Sequence, residues 1–303
     1  MIPESDGFVP PFEEWYKGDN RRLFEILSVF LNLSADYVTP EMMEEMTAGC
    51  AGTNAFALAS IAAAACGLDV YGNPSDRRFF NDRFLPCFRE ERLSDYASDR
   101  YLRDIVFPEG VSGGWSFGMK ACRPYECFVR DDPLVERLPG GGFKVTPQIG
   151  FFSKEYRYPA VGENGRDWMT LMPNETVTTL PAVKAARGRV LTFGLGLGYF
   201  TYHASLKESV KSVTVVERSD EALNFFGEYL LPQFPCREKI ELVRDDAFGF
   251  AKKGLSGYDM IFCDVWHDPS DGVPLYLKMK EFEKSNPGPE YIYWIEKTLK
   301  LYI

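Results

Sequence analysis

Residues 189–199 read Arg-Val-Leu-Thr-Phe-Gly-Leu-Gly-Leu-Gly-Tyr and decide the fold of this chain. A short apolar run breaks into three alternating glycines, and a helical pattern follows them. Glycine suits such a turn because it adopts positive φ freely, and because a missing Cβ lets a ligand approach the first N–H groups of a helix. The stretch predicts a strand, a tight turn and a helix start. Taken alone, it is equally compatible with a purely structural turn.

The spacing of the glycines separates two classes of nucleotide ligand. A dinucleotide-binding turn has glycine at its first, third and sixth positions. Counted from Gly194, the sixth position is Tyr199, and the third glycine is Gly198 instead. The resulting G-x-G-x-G pattern argues against NAD and resembles motif I of the class I S-adenosylmethionine (SAM) dependent methyltransferases.

Three further apolar runs each end in an acidic residue. Glu217 ends the run 212–217, Asp246 follows the run 240–243, and Asp264 ends the run 258–264. Helical stretches separate these runs, which gives the βαβα order of an α/β fold with a parallel sheet. Because parallel strands bring their carboxyl ends to one edge, we expect the three acids to meet the glycine turn there.

The segment from about 165 to 270 resembles the class I SAM-dependent methyltransferases, and within them the spermidine-synthase-like branch. Thr192 stands two positions before the first glycine, where this branch carries an uncharged residue, and a β-rich segment precedes the Rossmann-like domain. The resemblance implies SAM as cofactor, with its amino-acid end at the turn, its ribose at Glu217 and its adenine near Asp246. The cofactor-binding residues that we predict are Gly194, Gly196, Gly198, Tyr199, Glu217, Arg218, Asp246, Ala247, Phe248 and Asp264.

Asp264 is also the first catalytic candidate. At the end of the fourth strand it would hold the cofactor's amino group or orient a nucleophile, and His267 or Asp268 would take the nucleophile's proton. Asp264 is alternatively a helix N-cap or turn residue, and His267 a packing residue. The aminopropyltransferases of the branch show D-x-x-D-P here, whereas Asp264-Val-Trp-His-Asp268-Pro269 is one residue longer, which puts polyamine synthesis in doubt.

Three functions fit these features. The first is a SAM-dependent methyltransferase acting on an unidentified small-molecule or protein acceptor. The second is an aminopropyltransferase-like enzyme that uses decarboxylated SAM. The third is a non-catalytic nucleoside-binding protein, because only 39 residues follow Asp264. We expect a truncated sheet of order 3-2-1-4, whose open edge is covered by a tail helix over 291–301 or by the N-terminal region.

The remaining sequence suggests three parts. Residues 1–112 form a helical N-terminal domain, residues 113–173 a β-rich connector, and residues 174–303 the Rossmann-like SAM-binding domain. The third part begins with a helix for which Asn174 is the expected N-cap, with Glu175 in the first turn, where a carboxylate suits the helix dipole.

Composition narrows the partners and the compartment. A net charge of −10 disfavours a nucleic-acid substrate, since such binding depends on lysine and arginine. The seven cysteines, among them Cys50, lack paired short spacings, which favours a reduced protein without a metal site. Neither a signal peptide nor an apolar stretch of membrane-spanning length is visible. We therefore expect a cytoplasmic protein without membrane contact. The oligomeric state is left open, with a homodimer among the options.

Overall fold

A computed structural model of the protein describes residues 10–48, 53–112 and 114–303. The expectations for the first nine residues, for Cys50 and for the boundary at residue 113 lie outside these ranges. In chain order the α-helices are α1 (Phe12–Trp15), α2 (Gly18–Tyr37), α3 (Pro40–Ala48), α4 (Asn54–Ala65), α5 (Pro74–Phe79), α6 (Leu93–Ala97), α7 (Arg100–Asp104), α8 (Pro173–Ala185), α9 (Tyr199–Ser205), α10 (Asp220–Phe225), α11 (Ala247–Ala251), α12 (Pro269–Ser285) and α13 (Glu296–Lys300).

The strands form three sheets. They are β1 (Phe88–Glu90), β2 (Gly110–Ser112), β3 (Trp115–Cys122), β4 (Phe128–Arg137), β5 (Phe143–Phe151), β6 (Tyr156–Glu163), β7 (Arg166–Thr170), β8 (Gly188–Phe193), β9 (Val210–Glu217), β10 (Ile240–Arg244), β11 (Met260–Cys263) and β12 (Glu290–Tyr293). Their orders are β1-β5-β4, β2-β3-β6-β7 and β10-β9-β8-β11-β12.

Contacts between residues group the chain into two compact units. The first unit comprises residues 1–96, 120–158 and 303, and the second comprises 97–119 and 159–302. The chain passes twice from the first unit to the second, so each unit is made of more than one segment of the sequence. The three-part division of the sequence stays a prediction.

The first unit is built on α2 and α4. Leu23, Leu27 and Phe30 recur at helical spacing on α2 and are buried. The predicted helical character of this region is interrupted by β1, which pairs in parallel with β5. A physical reason is Pro86, which lies in a 3-10 turn directly before β1, since proline cannot supply the N–H that a continuing helix needs.

The second unit contains the five-stranded parallel sheet. Its central strand β8 is buried over Val190–Phe193 and pairs with β9 on one side and β11 on the other. Such continuous apolar burial is typical of a parallel sheet that is covered on both faces. The predicted α/β class and the order 3-2-1-4 of the first four strands are confirmed.

Two predictions about the second unit are wrong. The sheet has a fifth strand, β12, which covers the expected open edge at β11, and the tail helix is only Glu296–Lys300. Pro287 and Pro289 lie between α12 and β12 and favour extended backbone before β12. The apolar spacing of residues 291–295 is too short to distinguish a helix from a strand. The helix before β8 begins at Pro173 with Met172 as its N-cap, so Asn174 is not the cap. Proline at the first helical position loses no bond there.

In the described ranges, no helix has both the length and the apolar character to cross a membrane.

Candidate functional site

A cavity opens at the carboxyl ends of the strands of the parallel sheet, in the second unit. It brings together the glycine turn after β8, Glu217 at the end of β9, the acids after β10 and Asp264 after β11. Its lining comprises Trp168, Met169, Gly194, Leu195, Gly196, Val216, Glu217, Arg218, Asp245, Asp246, Ala247, Phe248, Asp264, Val265, Trp266, His267 and Leu275. We call it the outer cavity. Most of the residues proposed from the sequence therefore share one surface, while their roles stay predictions.

The glycine turn has the geometry that only glycine allows easily. Gly194, Gly196 and Gly198 have φ values of +93°, +52° and +80°. A Cβ on Gly194 would overlap the backbone oxygen of Asp264, and one on Gly198 would overlap the ring of Phe226. Gly194 and Gly196 line the outer cavity, whereas Gly198 precedes α9 as its left-handed N-cap. Gly198 thus serves the packing of the helix in this structure.

Glu217 is hydrogen-bonded to the backbone of the glycine turn. Its Oε2 accepts a hydrogen bond from the N–H of Leu195 at 3.2 Å, and its Oε1 accepts one from the N–H of Ser219 at 2.8 Å. The residue is buried and lines the outer cavity. A carboxylate has about four lone-pair sites, so two remain for hydroxyl groups of a ligand.

We expect Glu217→Gln to weaken binding of S-adenosylhomocysteine (SAH) by roughly 10- to 100-fold, because hydrogen bonds to a charged acceptor contribute about 1.5–3 kcal/mol. One of the two backbone hydrogen bonds is also lost, because the amide NH2 of glutamine donates and cannot accept from an N–H group. Calorimetric titration of both proteins checks this. Glu221→Gln, on the exposed first turn of α10, is the control and should bind like the wild type. An unchanged affinity of Glu217→Gln would remove Glu217 from the ligand site.

Two neighbouring acids follow β10 and have different partners. Asp246 is the N-cap of α11, and its Oδ1 accepts from the N–H of Gly249 at 2.8 Å. Asp245 bonds Lys253 at 2.6 Å, and this hydrogen bond lowers the pKa of Asp245. Both line the outer cavity, but only Asp246 was identified from the sequence. Asp245 is directly adjacent in the sequence, and only its neighbour matches the motif.

Asp264 lies where the outer cavity meets a smaller inner cavity behind the glycine turn. The residue keeps partial exposure to these cavities, yet burial raises the pKa of its carboxyl to about 7. Glu175 in the first turn of α8 also lines the inner cavity. Burial, and then the charge of Asp264, hold the pKa of Glu175 well above its usual range. The sequence indicated only a dipole role for Glu175.

The histidine candidate has a carboxylate partner. Nδ1 of His267 lies 3.1 Å from Oδ2 of Asp271, and the backbone N–H of His267 donates to the same carboxylate. Asp268 caps α12 through a bond from the N–H of Ser270 and forms a capping box with Asp271. His267 lines the outer cavity. The pair Asp271–His267 was missed from the sequence, although its i, i+4 spacing was visible there.

Tyr199, Trp266 and strand β7 also contribute to the two cavities or lie beside them. The hydroxyl of Tyr199 bonds Asp99 at 2.9 Å, and its ring lines the inner cavity. Trp266 is buried, and its Nε1 has no hydrogen-bond partner in the described residues. Strand β7 adds Trp168 and Met169 to the outer cavity. Because neighbouring residues of a strand are expected to face opposite sides, no sequence pattern indicated that Trp168 and Met169 line the same cavity.

The described residues contain no group of three or more His, Cys, Asp or Glu side chains that could hold a metal ion.

No protein-family model and no curated protein matches this chain. Among solved structures, it is similar to a precorrin 8W decarboxylase of Methanobacterium thermoautotrophicum, with 16% identity, a TM-score of 0.31 and coverage of 39% of this chain and 61% of that one. It is also similar to an O-methyltransferase of Bacillus cereus in complex with SAH, with 16% identity, a TM-score of 0.28 and coverage of 36% and 50%. A putative O-methyltransferase of Klebsiella pneumoniae shows 19% identity, a TM-score of 0.27 and coverage of 36% and 49%.

The chain spans between about half and two thirds of the solved chains that it matches.

Proposed function

We propose that this chain is a SAM-dependent methyltransferase that acts on a small-molecule or protein acceptor. The observation that carries the proposal is the convergence of the glycine turn, Glu217, Asp246 and Asp264 on one cavity at the carboxyl edge of a parallel sheet. Ligands of open α/β sheets bind at this edge, next to the point where the strand order reverses. In this sheet the reversal lies between β8 and β11.

The lining fits the parts of SAM in chemical character. Gly194 and Gly196 present backbone without Cβ atoms to the cavity, which suits close approach of the amino-acid end. Glu217 retains acceptor capacity for the ribose hydroxyls. Phe248 and Leu275 offer apolar surface, and Asp246 a polar edge, for the adenine.

Methyl transfer needs a nucleophile held in line and relieved of its proton. SAM supplies an electrophilic methyl group on its sulfonium when it is bound. The protein's part is then orientation and proton removal, which contribute most when the base lies within hydrogen-bond reach. We assign His267 as the base. Asp271, at 3.1 Å from Nδ1, orients the ring so that Nε2 is the nitrogen left to accept the proton.

Asp264 and Asp268 complete the proposed catalytic set. Asp264 lines both cavities and is placed to hold an ammonium group or to orient the nucleophile. Asp268 already accepts the N–H of Ser270 as a helix cap. A proton-accepting role for Asp268 therefore competes with its capping bond, and His267 is the stronger candidate.

A second candidate function is aminopropyl transfer from decarboxylated SAM, as the spermidine-synthase-like resemblance implies. The observation in its favour is the pair of acids Glu175 and Asp264 in the inner cavity, which favours an ammonium group, and decarboxylated SAM carries such a group. The longer spacing between Asp264 and Asp268 stands against it. A protein that binds the nucleoside without catalysis is the third reading, since the sheet still stops at five strands.

Calorimetric titration with SAM, SAH, decarboxylated SAM and NAD tests the proposal. We expect micromolar or tighter dissociation constants for SAM and SAH, and no binding of NAD. Preferential binding of decarboxylated SAM would favour aminopropyl transfer instead. If none of the adenosyl ligands bound at micromolar concentration, the cofactor assignment would be wrong.

A further inference from the structure

The inner cavity behind the glycine turn contains two carboxyl groups that lack protein partners. Glu175 reaches it from α8, and Asp264 reaches it from the end of β11. In the part of the chain that the structure describes, no hydrogen bond or ion pair reaches either carboxyl. Glu175 is half-buried and lines the cavity, and burial is the largest cause of the raised pKa of its carboxyl.

Among the residues that the structure describes, the lining of the inner cavity offers no cation to compensate these acids. Apart from Glu175 and Asp264 it consists of glycine, apolar and aromatic residues and three threonines. Two buried carboxylates without a cation repel each other and lose their hydration. The pair therefore retains at least one proton when it has no cationic ligand, as the raised pKa values of both groups indicate.

An unpaired buried acid is costly, and stability alone gives no reason for two of them. A Gln or an apolar residue would fill either position at a lower cost in desolvation. A cationic ligand group that enters between the carboxyls changes this balance, because charge-assisted hydrogen bonds to both then replace the lost hydration. The inner cavity also adjoins Gly194 and Gly196, which line the outer cavity as well.

We propose that Glu175 and Asp264 together form the receptor for the α-ammonium group of SAM and SAH, and that the pair loses protons to solvent when this group binds. This inference rests on the proposed function and deepens it by adding Glu175 as a ligand-positioning residue. The ammonium keeps its own protons throughout, so the only change in protonation is the loss of protons from the carboxyl pair.

Two consequences follow for ligand selection. A ligand that lacks the α-amino group leaves the pair protonated and gains none of these bonds, so it binds more weakly than SAH. A ligand with the amino group displaces protons from the pair at a pH near 6.5, where the pair is still protonated. Both effects depend on Glu175, whereas a general nucleoside site would show neither.

The test compares SAH with its desamino analogue on the wild type, Glu175→Gln and the control Glu208→Gln, whose carboxyl lies on an exposed turn. We expect the wild type and the control to prefer SAH by roughly 10- to 100-fold, the range of hydrogen bonds to charged groups. In Glu175→Gln this preference falls to a few-fold. Titrations in buffers with different ionisation enthalpies measure the proton release. It should be larger in the wild type than in Glu175→Gln, in which Asp264 is the only carboxyl of the pair left to lose a proton.

The outcomes separate this inference from the proposed function. If the wild type binds neither SAH nor its analogue, the proposed function fails. If the wild type binds SAH but shows no preference over the analogue and no proton release, only the inference fails. These two measurements use the wild type, so they decide the matter even if Glu175→Gln does not fold. A folded Glu175→Gln variant with unchanged preference would also overturn it.

Discussion

Replacing Gly194 by alanine is expected to abolish detectable binding of SAM and SAH and to lower the free energy of unfolding by about 2–5 kcal/mol. Two physical costs add. The φ of +93° at this position is strained for a residue with a Cβ, and the new methyl group would overlap the backbone oxygen of Asp264. Left-handed backbone costs about 1–2 kcal/mol and overpacking about 1–3 kcal/mol. These two costs are relieved only if the backbones of β8 and β11 move apart beside the outer cavity.

Urea unfolding and calorimetric titration of the same preparation measure the two effects. Gly257→Ala is the matched control, because a Cβ there meets nothing within 4 Å. It should unfold and bind like the wild type. If Gly194→Ala bound SAH normally, the close approach of the turn to Asp264 would have no role in the ligand site. A variant that kept its stability but lost binding would restrict the role of Gly194 to the ligand.

The sequence was most informative where a backbone position admits only a narrow choice of residue type. Three glycines with positive φ, and acids directly after apolar runs, identify strand ends without knowledge of distant contacts. The parallel direction of β8–β11 follows from the same pattern, because helical stretches separate the strands, whereas the spatial order of the strands was implied by the family resemblance. Glu217, Asp246 and Asp264 lie on the cavity for this reason.

Residues that depend on long-range packing were not predictable in this way. Strand β12 is four residues long, and its run of aromatic and aliphatic residues fits a helix or a strand until its pairing with β11 is known. Glu175 has the sequence signature of an ordinary first-turn acid. Only the burial of its carboxyl near Asp264 gives it another role.

The two acids of the inner cavity have opposite effects on the stability of the fold and on the binding of a cation. A raised pKa means that the folded chain holds a proton that the unfolded chain has lost, which costs stability at neutral pH. An acid with this property is unfavourable for folding and useful for binding a cation. Residues with such opposed effects are found mainly at functional sites. Asp264 is therefore the position at which a substitution should distinguish a structural acid from a functional one.

Asp264→Asn is expected to stabilise the ligand-free protein increasingly as the pH rises. The pKa of Asp264 goes from its ordinary value of 3.8 to about 7 on folding, so the folded state binds more protons between these values and the free energy of unfolding falls with pH. Asparagine cannot ionise and avoids this loss. The advantage of the variant should rise from about 0.5 kcal/mol at pH 4 to at most about 4 kcal/mol at pH 8.

Urea unfolding of both proteins between pH 4 and 8 gives this difference, and the effects of pH on groups that do not interact with Asp264 cancel. Asp245→Asn supplies a control of opposite sign. The hydrogen bond from Lys253 lowers the pKa of Asp245, so this variant should lose stability relative to the wild type above the ordinary pKa of an aspartate. A difference for Asp264→Asn that does not change with pH would mean that Asp264 is ionised in the ligand-free fold. The carboxyl pair would then hold no proton at Asp264, and its affinity for an ammonium group would need another source.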